Sequence, residues 1–150
     1  MRSQSLLLNL FLTMKAQKNK RPNKQLLLSA QIARSRGDDA QTRLLLEQML
    51  EHKETEYLAA RSLSEAAGRQ QLFPKALALA QRAQAVNPRG AAQVIGLHLK
   101  LGQGREALAA IERAKRRGNV SRTERRRWRG LAHLANARRL LASGGKEAAL

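Results

Sequence analysis

The sequence predicts an all-α protein built from stacked antiparallel helix hairpins, which together would form an α-solenoid. Ala and Leu supply most of the 43% of residues that are apolar, whereas aromatic residues make up only 3%, a composition that suits closely packed helices and disfavours a sheet. Only three prolines stand in the way of long helices. Helix-breaking residues recur at intervals of about 30 to 40 positions, as expected for a repeated helix–turn–helix unit.

Three such units follow one another along the chain. In the first, Lys24–Glu51, apolar residues recur at helical spacing on both sides of a break at Gly37. The second, Glu54–Pro88, carries two alanine- and leucine-rich stripes and stops at Asn87–Pro88. The third, Arg89–Gly118, turns at Gly102–Gly104. Each unit is therefore predicted to be a helix hairpin.

Small side chains support stacking of these hairpins. They recur where paired helices approach closely, and Ile95 is the one large exception. The two matched sets are Ala30, Ser64 and Ile95, and Thr42, Ala76 and Ala107, with successive members 34 and 31 residues apart. A single hairpin cannot bury its apolar face alone, so neighbouring hairpins are expected to stack into a curved row with a concave side.

A longer helix is predicted after the third hairpin. Ser121 and Glu124 form a capping box, in which each side chain bonds the other residue's backbone N–H, and the helix runs to about Ala142. Gly144–Gly145 is expected to turn the chain, so that Lys146–Leu150 begins a further helix. The predicted organisation is thus an N-terminal helix and basic linker (1–22), helical repeats (23–143) and the start of a truncated helix (144–150).

The most apolar run, Leu6–Met14, is about half of the ~20 residues that a membrane-spanning helix needs. We therefore expect no transmembrane segment and assign Leu6–Lys18 to a helix with one apolar face. A cleaved signal peptide is the alternative, because Arg2 precedes the run, but no small-residue cleavage pattern stands before Lys15.

Gly37, Ala76, Ala80, Ala83 and Pro88 resemble the signature positions of tetratricopeptide repeats. More narrowly, four runs are similar to the N-terminal region of the proteobacterial HemY family, which is associated with haem biosynthesis: Leu44–Leu58, Ala76–Pro88, Glu106–Gly118 and Arg125–Arg127. The resemblance implies a non-catalytic protein-interaction scaffold on the cytoplasmic side of the bacterial inner membrane. It carries over no catalytic motif, no haem-binding residue and no cofactor.

The net charge of +18 makes an acidic or polyanionic partner physically plausible. The densest basic block spans Arg113–Arg129, and its second half has helical spacing. One face, the arginine ridge, comprises Arg122, Arg125, Arg126, Arg129 and His133; an apolar stripe comprises Trp128, Leu131, Ala135 and Ala142. The ridge could bind RNA, anionic lipid or an acidic protein, since guanidinium groups bind phosphate and carboxylate bidentately. A merely solvated face is an equally weighted alternative.

A concave groove is the other candidate site, and there a partner's peptide or helix would bind. The residues expected to line it, the groove residues, are Lys24, Leu27, Gln31, Arg34, Leu58, Arg61 and Glu65. Arg34 and Arg61 would favour a carboxylate-bearing ligand. The alternative is that these arginines only pair with neighbouring carboxylates such as Glu65.

The sequence offers no catalytic or metal-binding constellation. The chain has no cysteine, and its three histidines, His52, His98 and His133, are scattered. A lone His98 or His133 could in principle ligate haem, but a structural role is favoured. Asp38 and Asp39 are better explained as helix-capping residues. We therefore predict neither an enzyme nor a small-molecule substrate.

Overall fold

The computed structural model describes residues 23–147, and every regular element in that range is helical. The expectations for Leu6–Met14 and the rest of segment 1–22, and for residues 148–150, lie outside the described residues. The helices are α1 (23–35), α2 (Asp39–Met49), α3 (Glu56–Arg69), α4 (Phe73–Val86), α5 (Ala91–Lys100), α6 (Gly104–Arg116) and α7 (Arg122–Glu147), with a 3-10 turn at Pro88–Gly90 before α5. The predicted all-α class is confirmed for this part of the chain.

The turn inside each hairpin has the same backbone geometry. A residue with left-handed φ follows the first helix in all three: Gly37 at 72°, Gln71 at 59° and Gly102 at 68°. The next residue then donates its N–H to a carbonyl five positions back, as from Asp38 to Ala33 at 3.0 Å. The equivalent bonds are Leu72 to Ala67 at 2.9 Å and Gln103 to His98 at 2.8 Å. This is the Schellman ending of a helix, and inside the hairpins it recurs at steps of 34 and 31 residues. The same ending also follows α6, where Gly118 has a φ of 69° and Asn119 donates to the carbonyl of Ala114 at 3.1 Å.

The chain divides into two compact units, Met1–Ala59 and Ala60–Leu150. In the first unit, Asp38 caps α2, because its Oδ1 accepts the N–H of Gln41 at 3.0 Å. This confirms the capping role predicted for Asp38. The unit's core cluster contains Ala30, Ala33, Leu45, Met49 and Ala59. Thr55 closes the segment after α2 by donating its hydroxyl to the carbonyl of Met49 at 2.8 Å.

The second unit packs successive helices against each other. α5 contacts α4 on one side and α6 on the other, and α7 contacts both α6 and α5. Small residues fill these interfaces: Ala76, Ala80, Ala83 and Ala107 are completely buried. Ser64, also buried, donates its hydroxyl to the carbonyl of Ala76 at 2.7 Å and so joins α3 to α4. The predicted small-residue positions in this unit therefore lie at helix–helix contacts.

Helix α7 is longer than predicted. Its capping box is confirmed, since the Ser121 hydroxyl accepts the N–H of Glu124 at 3.2 Å and Glu124 Oε2 accepts the N–H of Ser121 at 3.2 Å. The predicted turn at Gly144–Gly145 is wrong, because the helix continues to Glu147. Two glycines cost an exposed helix about 1 kcal/mol each, which lowers its stability without imposing a turn. None of the described helices combines the length and hydropathy that crossing a membrane requires.

Candidate interaction surfaces

The groove residues of the first unit differ in exposure. Lys24, Gln31 and Arg34 on α1 are exposed, as is Leu58 at 45%. Leu27 is half-buried and packs against the first core cluster, so part of its side chain serves the unit's own interior. The exposed members leave two cationic side chains and one amide on α1 open to a ligand.

Arg61 and Glu65, the groove residues of the second unit, bond to each other. Arg61 Nε donates to Glu65 Oε1 at 3.2 Å across one turn of α3, and both side chains are exposed. An exposed pair with this spacing contributes about 0.3–0.5 kcal/mol. Gln93 on α5 donates its amide to the backbone carbonyl of Arg61 at 3.3 Å, which ties α5 to α3 at the same point. A carboxylate ligand would therefore compete with Glu65 for Arg61.

The arginine ridge has two kinds of member. Arg122, Arg126 and His133 are exposed on α7. Arg129 instead forms an ion pair with Glu112 of α6, and Arg125 is half-buried, with an Nε that finds no hydrogen-bond partner among the described residues. Two of the five ridge residues are therefore not fully available to a ligand: Arg129 is paired with Glu112, and Arg125 is partly buried.

Glu112 of α6 accounts for the different state of Arg129. It accepts from Arg129, and it also lies 4.0 Å from the ammonium of Lys115 one turn further along α6. Sequence spacing alone could not reveal this pairing, because Glu112 and Arg129 are 17 residues apart on different helices. The pair links α7 to α6 and reduces the positive potential around Arg129.

The inward face of α7 is shifted by one residue from the predicted stripe. Ala132 is completely buried, whereas Leu131, which the sequence placed in the apolar stripe, is 44% exposed. Trp128 packs against a core cluster of the second unit that includes Ile95 and Ile111. The single tryptophan thus contributes to the core, as the sequence suggested, and is not an open platform on which a base could stack.

His98 has a structural role. Its side chain is 7% exposed, and its Nδ1 lies 2.7 Å from Gln103 Oε1. This hydrogen bond joins the end of α5 to the turn before α6. His133 is exposed and His52 half-buried. No group of three or more metal-ligating side chains occurs within residues 23–147.

Sequence reasoning missed an open cleft in the second unit. It has a volume of about 240 Å³ and lies between the C-terminal halves of α4 and α6. The lining residues are Gln81, Gln84, Ala85, Pro88, Ala91, Arg113, Ala114, Arg117 and Asn119. The spacing of Arg113 and Arg117, one turn apart, was the only sign of it in the sequence. Both arginines are exposed to solvent.

The outward face of α7 was also missed as a continuous surface. Three leucines on it are exposed: Leu131 at 44%, Leu134 at 47% and Leu141 at 77%. Leu140, at 67%, is exposed on another side of the helix, about 100° around from Leu141. No protein-family model and no curated protein matches this chain. The features that bear on its function are therefore the groove residues, the arginine ridge and the outward face of α7.

Proposed function

We propose that this chain is a non-catalytic interaction scaffold of the tetratricopeptide type, in which stacked hairpins present the groove residues to a partner protein. The observation that carries the proposal is the recurrence of one hairpin turn at Gly37, Gln71 and Gly102, with the same backbone hydrogen bond after each. A repeated hairpin of this kind is the building unit of solenoids, whose extended surfaces bind peptides and helices.

Contacts inside the second unit support the stacking. Within this unit α5, the first helix of its hairpin, touches its own partner α6, and it also touches α4 and α7. Gln93 links it to α3, the first helix of the preceding hairpin. Such nearest-neighbour packing is what a solenoid requires, whereas a closed bundle gathers its helices around one axis.

The similarity to the HemY family supports two finer parts of the proposal. The partner would belong to haem or porphyrin metabolism, and the chain would act on the cytoplasmic side of the bacterial inner membrane. Both parts rest on the four similar runs beginning with Leu44–Leu58 and on no catalytic or haem-binding residue of this chain.

Site-specific photocrosslinking in the native host tests the scaffold proposal. A photoreactive residue is placed at Gln31 or Leu58 among the groove residues, and at the exposed Leu44 of α2 as the matched control. The proposal predicts that Gln31 and Leu58 crosslink to the same protein and that Leu44 does not. Equal labelling from all three positions, or none from the groove positions, would contradict it. Arg34→Glu should weaken crosslinking, since it reverses an exposed charge that favours a carboxylate ligand.

A second candidate function is binding of RNA or an anionic membrane through the arginine ridge. The exposure of Arg122, Arg126 and His133 on one helix favours it. Because Arg129 is paired with Glu112, few phosphates would be neutralised, and the logarithm of the binding constant should fall with the logarithm of salt at a slope of about −2. A slope near zero, unchanged in Arg122→Gln/Arg126→Gln, would exclude this function.

A further inference from the structure

The outward face of α7 carries a seam of five residues in alternating steps of four and three. These residues, the α7 seam, are Arg127, Leu131, Leu134, Arg138 and Leu141, and all five are exposed. Side chains at this spacing lie along one line of a helix, as do the core positions of a coiled coil. The α7 seam lies on a different side of the helix from the buried Ala132 and from the arginine ridge.

Small residues run beside the seam. Gly130, Ala137 and Gly144 are seven residues apart, so they share a second line along the same face. A Cβ added at Gly130 or Gly144 would meet no atom within 4 Å, and Ala137 is exposed. The described residues therefore leave this line uncovered. A second helix could approach the backbone of α7 closely here, with its own large side chains over the small ones.

The C-terminal part of α7 has no packing partner among the described residues. Every side chain from Ala137 to Gly144 is exposed, including Leu140 and Leu141. A helical segment of this length is marginal in water by itself, and glycines within it cost about 1 kcal/mol each. Covering Leu134 and Leu141 with another apolar surface would stabilise this segment.

The positive charge of α7 indicates which kind of partner could cover the α7 seam. Between Arg125 and Lys146 the sequence contains six arginines, one lysine and no Asp or Glu. Arg127 and Arg138 lie within the seam itself, so a partner that covers the leucines must also place carboxylates opposite these guanidinium groups. A second copy of the chain, also carrying a net charge of +18, would be repelled.

A lipid surface fits the seam less well than a helix does. Membrane-surface helices present a broad apolar face. Here the line of leucines is one side chain wide and is interrupted by Arg127 and Arg138. The neighbouring Gly130, Ala137 and Gly144 add little apolar surface area. A narrow seam with an adjacent small-residue line matches the shape of a helix instead.

We propose that the α7 seam binds an acidic amphipathic helix of a partner protein, with the partner's apolar residues against Leu131, Leu134 and Leu141 and its carboxylates against Arg127 and Arg138. This inference rests on the scaffold proposal and names a partner class for it. The α7 seam and the groove residues are different surfaces, so an experiment can reject binding at the seam without rejecting the scaffold proposal.

A synthetic peptide tests the α7 seam directly on the full chain. The probe has four heptads, about 28 residues, with Leu at the a and d positions and Glu at e and g. A control peptide of identical charge has Ser in place of every Leu. Binding is measured by fluorescence anisotropy at about 0.15 M salt, where weak long-range attraction is screened. The leucine peptide should bind at least tenfold more tightly than the serine peptide.

Variants of the chain locate the binding. Leu134→Gln/Leu141→Gln and, separately, Ala137→Gln should each weaken binding of the leucine peptide at least tenfold, because the first removes the apolar contact and the second blocks the close approach. Leu44→Gln on α2 is the matched control and should bind normally. All changed side chains are exposed, and circular dichroism checks that the helical content is retained.

Several results would overturn the proposal. Equal affinity for the serine peptide would show attraction by charge alone, and unchanged binding by the double variant would place the contact elsewhere. No binding of either peptide would also reject it.

If vesicles with about 30% phosphatidylserine bind through Leu134 and Leu141 while the peptide does not, the seam recognises anionic lipid. Self-association lost in the double variant would assign the seam to a second copy. Crosslinking at Gln31 and Leu58 that persists in the double variant would leave the scaffold proposal standing.

Discussion

Gly104 is the position where the packing of α6 on α7 can be tested most sharply. It is the first residue of α6 and is buried. A Cβ at this position would overlap the backbone carbonyl oxygen of Ala132, and it would lie 2.7 Å from Cγ of Asn136. The Asn136 side chain can move aside, but the carbonyl of Ala132 is fixed within α7. Gly104→Ala must therefore push the two helices apart.

The expected cost follows from two opposing effects. Overpacking a close contact costs about 1–3 kcal/mol, while the more restricted unfolded chain of an alanine variant returns about 0.4–1 kcal/mol. Gly104→Ala should thus lower the free energy of unfolding by about 1.3 kcal/mol at the middle of both ranges and by at most about 2.6 kcal/mol, so that the Tm falls by about 4 °C for a chain of this size. Urea unfolding followed by far-ultraviolet circular dichroism measures this change.

Gly96→Ala is the matched control in the same compact unit. Gly96 lies inside α5, and a Cβ there would meet nothing within 4 Å. Alanine should stabilise the helix by about 1 kcal/mol, so the same chemical change is predicted to have opposite signs at the two positions. If Gly104→Ala is as stable as Gly96→Ala, α6 and α7 do not approach as described. Adding Asn136→Ala to Gly104→Ala should restore only part of the loss, because the carbonyl of Ala132 remains.

Three further changes test the hairpin turns and helix caps, each by urea unfolding. Gln71→Gly should raise the free energy of unfolding by about 0.5–1 kcal/mol, since Gln71 has a φ of 59° that disfavours a Cβ; a loss of stability would argue against the left-handed turn. Ser64→Ala should cost about 1 kcal/mol by removing the buried bond to the carbonyl of Ala76, and an unchanged midpoint would mean that this bond is absent. Ser121→Ala should cost about 1 kcal/mol through loss of the capping box with Glu124, whereas Thr at this position should retain most of it.

The hairpin boundaries were predictable because the signals are local. Gly37 and Gly102 take left-handed φ, Asp38 caps α2, and Ser121 with Glu124 begins α7. Each signal acts within one turn of helix, where neighbouring residues determine the conformation. The turn at Gln71 lacks a glycine and so gave no such signal. Its left-handed φ and the bond from Leu72 to the carbonyl of Ala67 are visible only in the structure.

The candidate surfaces were less predictable because they depend on contacts between helices. The five residues of the arginine ridge lie on one helix, α7, but only the structure shows that Arg129 pairs with Glu112. Similarly, helical spacing allowed Leu131 to be either inward or outward. The rotation of α7 that buries Ala132 leaves Leu131 on the exposed seam. Sequence periodicity gives the relative positions of faces on one helix, while packing decides which face is buried.

The repeated hairpin is tested most directly by nuclear magnetic resonance of the full chain. Backbone shifts and couplings should show positive φ at Gly37, Gln71 and Gly102, with helix on both sides of each residue. Nuclear Overhauser contacts should join Ser64 to Ala76 within a hairpin, and Gln93 to Arg61 between successive first helices. A continuous helix through Gln71, or absence of the Gln93–Arg61 contact in an otherwise folded chain, would contradict the stacked-hairpin account.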